Sequence, residues 1–299
     1  MTLSFTNGEK YRLIRKSILE ELETEIQTFQ STVHLNSFQK WIVNELYDFT
    51  PPEADFTVKS ILLVAIPHPL FSKVTFQYDH RQYHCVSLVS SDFERTRNTV
   101  HDELTNDGFH FLEAKNLPLK RLAVQSGLAI YGRNNITYID GLGSCFSYLA
   151  FFTDLSPETV SLLPVKVSKV CENCTACIRN CPTGAIQRDS FLIDNQKCLS
   201  CLNETGDPFP DWVPVTAHHS LYDCIKCQVI CPMNKDQKDS KGRDVHFTEE
   251  EILILLEGTP FSEYPQALKE KGRYLGLDQW PGGIAKNLWT LIERKMTGV

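Results

Sequence analysis

Apolar residues recur at three- and four-residue steps through Leu13, Ile14, Ile18, Leu22 and Ile26, the spacing of an amphipathic helix over residues 10–29. The stretch SFQKWIVNELYDF carries a second helical pattern, and Pro51-Pro52 closes it. The run SILLVAI, residues 60–66, is short, apolar and followed by Pro67, as a buried strand is. VTFQY and QYHCVSLV read as a hairpin turning at Asp79-His80-Arg81. Ser91 or Asp92 caps a helix running to about Leu104, and LPLKRLAVQSG is a helix stopped by Gly127. ITYI and SCFSYLAFF are strands flanking the turn DGLGS, and FTEEEILILLEG is a helix with Thr248 as its cap and Gly258 as its stop. Two further helices follow it.

This alternation predicts an α/β or α+β domain over residues 1–165, a cysteine-rich domain over residues 166–240 and a helical segment over residues 241–299 that packs back on the first domain. With 299 residues and 42% hydrophobic content the chain is long enough for two folded domains. Its 30 basic against 37 acidic residues leave a net charge of −7, which argues against a dominant nucleic-acid or anionic-membrane surface. No apolar stretch follows the N-terminal charges, and no window is long enough for a membrane span, so a cytoplasmic protein is expected.

The eleven cysteines change the picture. Cys171, Cys174, Cys177 and Cys181 stand in CENCTACIRNCP, which is C-x2-C-x2-C-x3-C-P, an iron-sulfur run. A cubane needs four thiolates converging from different directions, and in two-cluster ferredoxins the fourth cysteine of each run ligates the other run's cluster. The second run, CIKCQVICP, supplies Cys224, Cys227 and Cys231, but Leu221 stands where its first cysteine belongs. The upstream CLSC offers Cys198 and Cys201 as the missing ligand. One four-iron four-sulfur cluster then takes Cys171, Cys174, Cys177 and Cys231, and the other takes Cys181, Cys224, Cys227 and one cysteine of CLSC. Zinc sites seldom show this run. Cys85 and Cys145 sit within strand-like stretches as buried apolar residues. His218-His219, just before Cys224, are placed to hydrogen-bond cluster sulfur or simply to form a loop.

Two clusters make a wire, and the first domain is expected to hold a redox cofactor or substrate at one end of it. No dinucleotide or P-loop fingerprint occurs there. The informative stretch is SGLAIYGRNNITYIDGLGS, residues 126–144. Its glycines allow close backbone approach, and Arg133, Asn134 and Asn135 place donors beside it. Arg133 is the candidate for binding an amide or stabilising developing negative charge, and Tyr131 is a candidate proton donor. His80 and His84 straddle the hairpin as exposed residues.

SGLAIYGRNN followed by GLGS, then CENCTACIRNCPTGAI, a lone KC, CIKCQVICP and GGIAKNLWTLI together resemble the cobalamin-dependent iron-sulfur reductases, that is, epoxyqueuosine reductase and more distantly the reductive dehalogenases. The resemblance runs from about Ser60 to the C-terminus. It implies an α+β protein: a nitroreductase-like α/β domain binding a base-off corrinoid, a bacterial two-cluster ferredoxin-like domain, and C-terminal helices. It also implies that Cys198 completes the second cluster, leaving Cys201 as a thiol beside it. Gly132, Arg133, Asn134, Asn135, Gly143 and Ser144 are the implied corrinoid-binding residues. The aspartate-containing D-[TS]-A-P stretch of epoxyqueuosine reductase has no counterpart in FLEAKNLPLKRLAV, where Glu113 is the nearest acid. The missing helical repeat and the acidic charge speak against tRNA.

The expected function is a reductase in which a low-potential donor of ferredoxin or flavodoxin type feeds two clusters, cobalamin receives the electrons, and a small substrate is reduced. The alternative is an electron-transfer or reactivation protein that serves a corrinoid partner protein.

Overall fold

The computed structural model describes residues 3–158, 163–237, 239–279 and 281–296. Its strands are β1 (Lys10–Arg15), β2 (Ser60–Pro67), β3 (Ser72–Tyr78), β4 (Arg81–Ser87), β5 (Phe111–Glu113), β6 (Ile130–Tyr131), β7 (Thr137–Tyr138), β8 (Phe146–Thr153) and β9 (Val245–Phe247). Its α-helices are α1 (Ile18–Thr32), α2 (Ser37–Trp41), α3 (Phe93–Asn106), α4 (Leu119–Gln125), α5 (Ala176–Asn180), α6 (Leu199–Glu204), α7 (Lys226–Val229), α8 (Glu249–Leu256), α9 (Gln266–Leu275) and α10 (Ile284–Met296). They form two compact units: Met1–Pro67 with Ser91–Leu142 and Phe146–Lys169, and His68–Ser90 with Gly143–Cys145 and Val170–Val299.

The first unit is built on an antiparallel sheet in the order β1-β2-β8-β5. SILLVAI is apolar at almost every position because β2 is covered on both faces. Ile61, Leu63 and Ala65 meet Ile18, Leu22 and Ile26 of α1 and Leu122 of α4. Leu62, Val64 and Ile66 meet Val100 and Leu104 of α3. Each such side chain removed from water contributes about 1.5–3 kcal/mol. Asp92 caps α3, its side chain accepting the Arg95 amide at 3.1 Å.

The N-terminal segment corrects the sequence reading. Residues 10–15 are a strand, and the helix starts only at Ile18. Leu13 and Ile14 fit the helical spacing by coincidence, but β1 pairs with β2 over its whole length, from Lys10 opposite Ala65 to Arg15 opposite Ser60. Satisfying the open edge of a buried strand outweighs local helix preference, and Lys10, Arg12 and Arg15 give the resulting edge its charge.

The second unit pairs β4 with β3 antiparallel and β3 with β9 parallel. The hairpin turns at Asp79 and His80, both at positive φ (49° and 57°), as a two-residue turn between right-twisted strands requires. Phe76, Tyr83, Phe247, Leu255, Leu268 and Leu288 form one core with helices α8, α9 and α10. Thr248 and Glu251 make a reciprocal capping box at α8, at 3.3 and 2.9 Å. The boundaries therefore differ from the sequence reading. Residues 68–90 and 143–145 belong with the cysteine segment, and the helices after residue 241 are part of that unit, because their apolar faces close on the hairpin.

Phe247 is fully buried at the centre of this core. Phe247→Ala is expected to cost about 3–5 kcal/mol of unfolding free energy, measured by denaturant titration.

Candidate iron-sulfur centres and the glycine turn

Two short helices carry the halves of the cysteine motif. α5 follows Cys174 and holds Cys177, and α7 follows Cys224 and holds Cys227. They pack on each other, and Asn180 donates its amide to the Lys226 carbonyl at 2.5 Å. Cys171, Cys177 and Cys231 are buried, and the other five candidate ligands are half-buried.

The thiols gather in the crossed way that a two-cluster ligand set demands. Burial pushes the Cys177 thiol up, and the neighbours that push it further are Cys171, Cys231 and Cys174. Burial likewise pushes Cys224 up to about 12, with Cys198 and Cys181 adding to it. The fourth cysteine of each run thus lies beside the other run's group. Cys227 stands three residues after Cys224, on α7. Among the described residues no three of His, Cys, Asp or Glu are gathered closely enough for a single metal ion. A cubane is wider and takes one thiolate at each iron corner. Thiols kept neutral by burial avoid uncompensated charge before assembly, and ligation deprotonates them.

Cys198 behaves differently. Its thiol is hydrogen-bonded to that of Cys201, so one sulfur of the pair is favoured as thiolate by the S–H of the other. His219 places Nε2 at 4.0 Å from Cys224 Sγ, with Nδ1 on the Ala217 carbonyl at 2.8 Å.

The glycine-turn candidates divide between the two units. Gly132, Arg133, Asn134 and Asn135 form the turn between β6 and β7, closed by the Gly132 amide donating to the Ile136 carbonyl at 2.8 Å. Asn135 has φ 60°. Asn134 is buried, its amide donating to the Tyr138 hydroxyl at 2.9 Å. Gly143 and Ser144 lie in the other unit, against the segment after Cys231. A Cβ on Gly143 would stand 2.2 Å from Asn234 Oδ1. That oxygen accepts the Ser144 amide at 2.8 Å, Ser144 Oγ donates to Gln228 at 2.7 Å, and Asn234 Nδ2 donates to Ser144 Oγ at 2.8 Å and to the Gln228 carbonyl at 3.0 Å. The close approach that glycine permits here is to buried protein. Asn134, Gly143 and Ser144 are thus engaged in contacts within the protein. Gly132, Arg133 and Asn135 share the β6–β7 turn.

The proton-donor candidates separate as well. Glu113 is in a two-pronged ion pair with Arg97, at 2.8 and 3.0 Å. That hydrogen bond holds its carboxyl below the usual glutamate range, so it is set up as a structural anion. Tyr131 is buried and keeps its proton, since burial raises the phenol strongly against the opposing pull of Arg121. Arg121, itself buried, pairs with Glu25 at 3.1 Å and lies 5.0 Å from the Phe29 ring centroid. Neither this charge pair nor the Asn234 network was singled out from sequence. An arginine in an apolar helix and an asparagine two residues past Pro232 carry no spacing signal of their own.

A family profile described as a 4Fe-4S double cluster binding domain matches residues 170–234, which supports two such clusters. The resemblance to epoxyqueuosine reductases is borne out by curated relatives of that name. That of Shewanella oneidensis is 24% identical over 255 residues, 82% of this chain and 62% of that protein. That of Bacillus subtilis is 26% identical over 213 residues, 64% and 50%, and that of Francisella cf. novicida is 31% identical over 196 residues, 62% and 52%. The chain thus spans half to about three-fifths of the length of these relatives. An epoxyqueuosine reductase solved with an epoxyqueuosine-modified tRNA-Tyr stem loop matches with TM-score 0.61 at 18% identity, over 95% of this chain and 77% of that one. The Streptococcus thermophilus enzyme matches with TM-score 0.60 at 17% identity, over 96% and 77%. The shared property at that identity is the mixed α/β fold.

Two outcomes check this site. Gly143→Ala forces a left-handed backbone (φ 58°) on a residue whose Cβ strikes Asn234. It is expected to cost about 2–4 kcal/mol, read as a lowered Tm in protein never exposed to a corrinoid. Burial, aided by His219, Lys286 and Arg294, lowers His218 to about 4. The folded state prefers the neutral ring, so stability is complete above the unfolded pKa of about 6.5 and falls as pH drops toward 4. His218→Gln should flatten that limb of a stability-against-pH curve.

Proposed function

We propose that this chain is an iron-sulfur oxidoreductase of the epoxyqueuosine reductase kind, passing single electrons through two four-iron clusters to a reducible centre held by the first unit. The observation that carries the reading is the crossed gathering of Cys177 with Cys171, Cys174 and Cys231, and of Cys224 with Cys181 and Cys198. Cys227 completes the second set. An electron entering at one cluster has a short path to the other, and burial of three ligands keeps water from one of them.

The electron acceptor is proposed to be cobalamin. When bound base-off it supplies a low-potential metal centre able to attack or reduce an electrophilic carbon. Gly132, Arg133 and Asn135 are the residues of this chain that would meet it. Arg133 offers a fixed guanidinium fork to a side-chain amide or a carboxylate. Tyr131 is the candidate proton donor, although burial raises its phenol and so makes it a weaker acid than an exposed tyrosine.

The substrate proposal changes with the comparisons. Acidic charge speaks against tRNA, but a structural relative was solved with an epoxyqueuosine-modified tRNA stem loop. Epoxyqueuosine in tRNA is therefore the first substrate to test, ahead of a free small molecule. The donor is proposed to be a ferredoxin or flavodoxin. Among the described residues no helix is long and apolar enough to cross a membrane. The departure at Glu113 favours one second reading, an electron carrier that serves a corrinoid partner protein and has no substrate of its own.

Anaerobic reconstitution with iron and sulfide, then gel filtration with and without hydroxocobalamin, separates these. The reductase is expected to hold about eight irons per chain and one cobalt, and to convert epoxyqueuosine in a tRNA anticodon stem loop to queuosine under reduction. Eight irons with no retained cobalt would overturn the corrinoid mechanism in favour of the carrier.

A further inference from the structure

Beside Cys181, which comes from the first run, the proposed ligands of the second cluster come from two arms that are distant in sequence. One arm is α6, with Cys198 as its N-cap residue. The other ends at Asp223, whose φ of 60° turns the chain into Cys224. Polar contacts join them. Asn203 on α6 donates its amide to the Asp223 carbonyl at 2.8 Å, and Ser200 donates its hydroxyl to the Asp223 carboxylate.

The C-terminal helix closes on both arms at once. Asn287, only 2% exposed, donates the same amide nitrogen to the Asn203 carbonyl at 2.9 Å and to the Leu221 carbonyl at 3.0 Å. One buried amide therefore holds a carbonyl on each arm. Lys286 donates to the Leu202 and Thr205 carbonyls at 2.6 and 2.7 Å, and its ammonium lies 4.0 Å from the Phe209 ring centroid. A helix of six residues is too short to hold itself and leaves its last carbonyls without partners. Lys286 meets them with a cation at the negative end of the helix. The approach is backbone against backbone: a Cβ on Gly283 would stand 2.0 Å from the Asn203 carbonyl oxygen, and one on Gly206 would stand 3.1 Å from that of Gly282. Further along α10, Arg294 donates to the His218 carbonyl on the same stretch.

We propose that Lys286 and Asn287 are positioning residues for the second cluster: they clamp the Cys198 arm to the Cys224 arm so that both thiolates reach one cubane in register. The inference rests on the ligand assignment proposed above, in which Cys198, Cys224, Cys227 and Cys181 share a cluster. It gives residues 283–287 a task in the redox centre.

The test uses the full chain with Asn287→Ala, Lys286→Met, Lys286→Arg and Cys198→Ala, reconstituted anaerobically. Iron and sulfide content, the paramagnetic signals of the reduced protein, the midpoint potential of each cluster and the far-ultraviolet spectrum are recorded. Asn287→Ala and Lys286→Met are expected to hold about half of the roughly eight irons, or to keep them with one midpoint displaced. The other cluster's midpoint and the helical signal stay as in the parent, and Lys286→Arg restores the parent behaviour. Full loading with both midpoints unchanged in Asn287→Ala and Lys286→Met would overturn the clamp. So would loss of both clusters together with the helical signal, since that is general unfolding. Full loading in Cys198→Ala would instead sink the ligand assignment, and the clamp with it.

Discussion

Each cubane requires four thiolates to arrive at once, and no single turn of chain can deliver four. Three come from a tight local loop and the fourth from far along the sequence. Cys231 must travel back to Cys171, Cys174 and Cys177, and Cys181 must cross to Cys224. Much of the second unit serves that constraint. The packing of α5 on α7 brings the two half-motifs together, and Asn180 fixes their register through the Lys226 carbonyl. The missing first cysteine of the second run, replaced by Leu221, adds a further demand. A third stretch of chain, α6, has to be recruited and held. Leu221 itself is fully buried in the hairpin core, so the position that lost a ligand gained a place in the packing.

Buried polar groups do the holding. Asn234, Asn203 and Asn287 are each almost wholly removed from water, and each spends its amide on carbonyls of neighbouring loops. Such groups are costly when unpaired and specific when paired, which suits a region whose loops have little apolar surface of their own. The first unit is organised in the opposite way. Its central strand is apolar on both faces, and its buried charges are paired, Arg121 with the half-buried Glu25 and Glu9 with Arg95. The chemistry proposed for it rests on the narrow β6–β7 turn.

Redox ligands and their surroundings follow one electrostatic logic. Burial raises the Cys177 and Cys224 thiols, so these two keep their protons until iron displaces them. Cys198 is the exception, because its thiol is hydrogen-bonded to that of Cys201. The structure places the two sulfurs of CLSC beside each other.

The sequence alone determined what depends on local spacing. C-x2-C-x2-C-x3-C-P names its chemistry because loop geometry fixes which thiols can share a cluster. SILLVAI names a buried strand because nothing polar interrupts it, and Thr248 with Glu251 names a helix start because the capping box is local. Tertiary structure decided what depends on partners distant in the chain. Leu13 and Ile14 became strand because an open edge of β2 needed pairing. Gly143 turned out to accommodate Asn234 because the close approach that glycine permits leaves no mark of what approaches. Glu113 became an ion-pair anion because Arg97 stands opposite it. Lys286 and Asn287 read as an ordinary helix start, and their position over α6 follows only from the packing of the C-terminal helix, since hydrogen bonds between distant segments have no period in sequence.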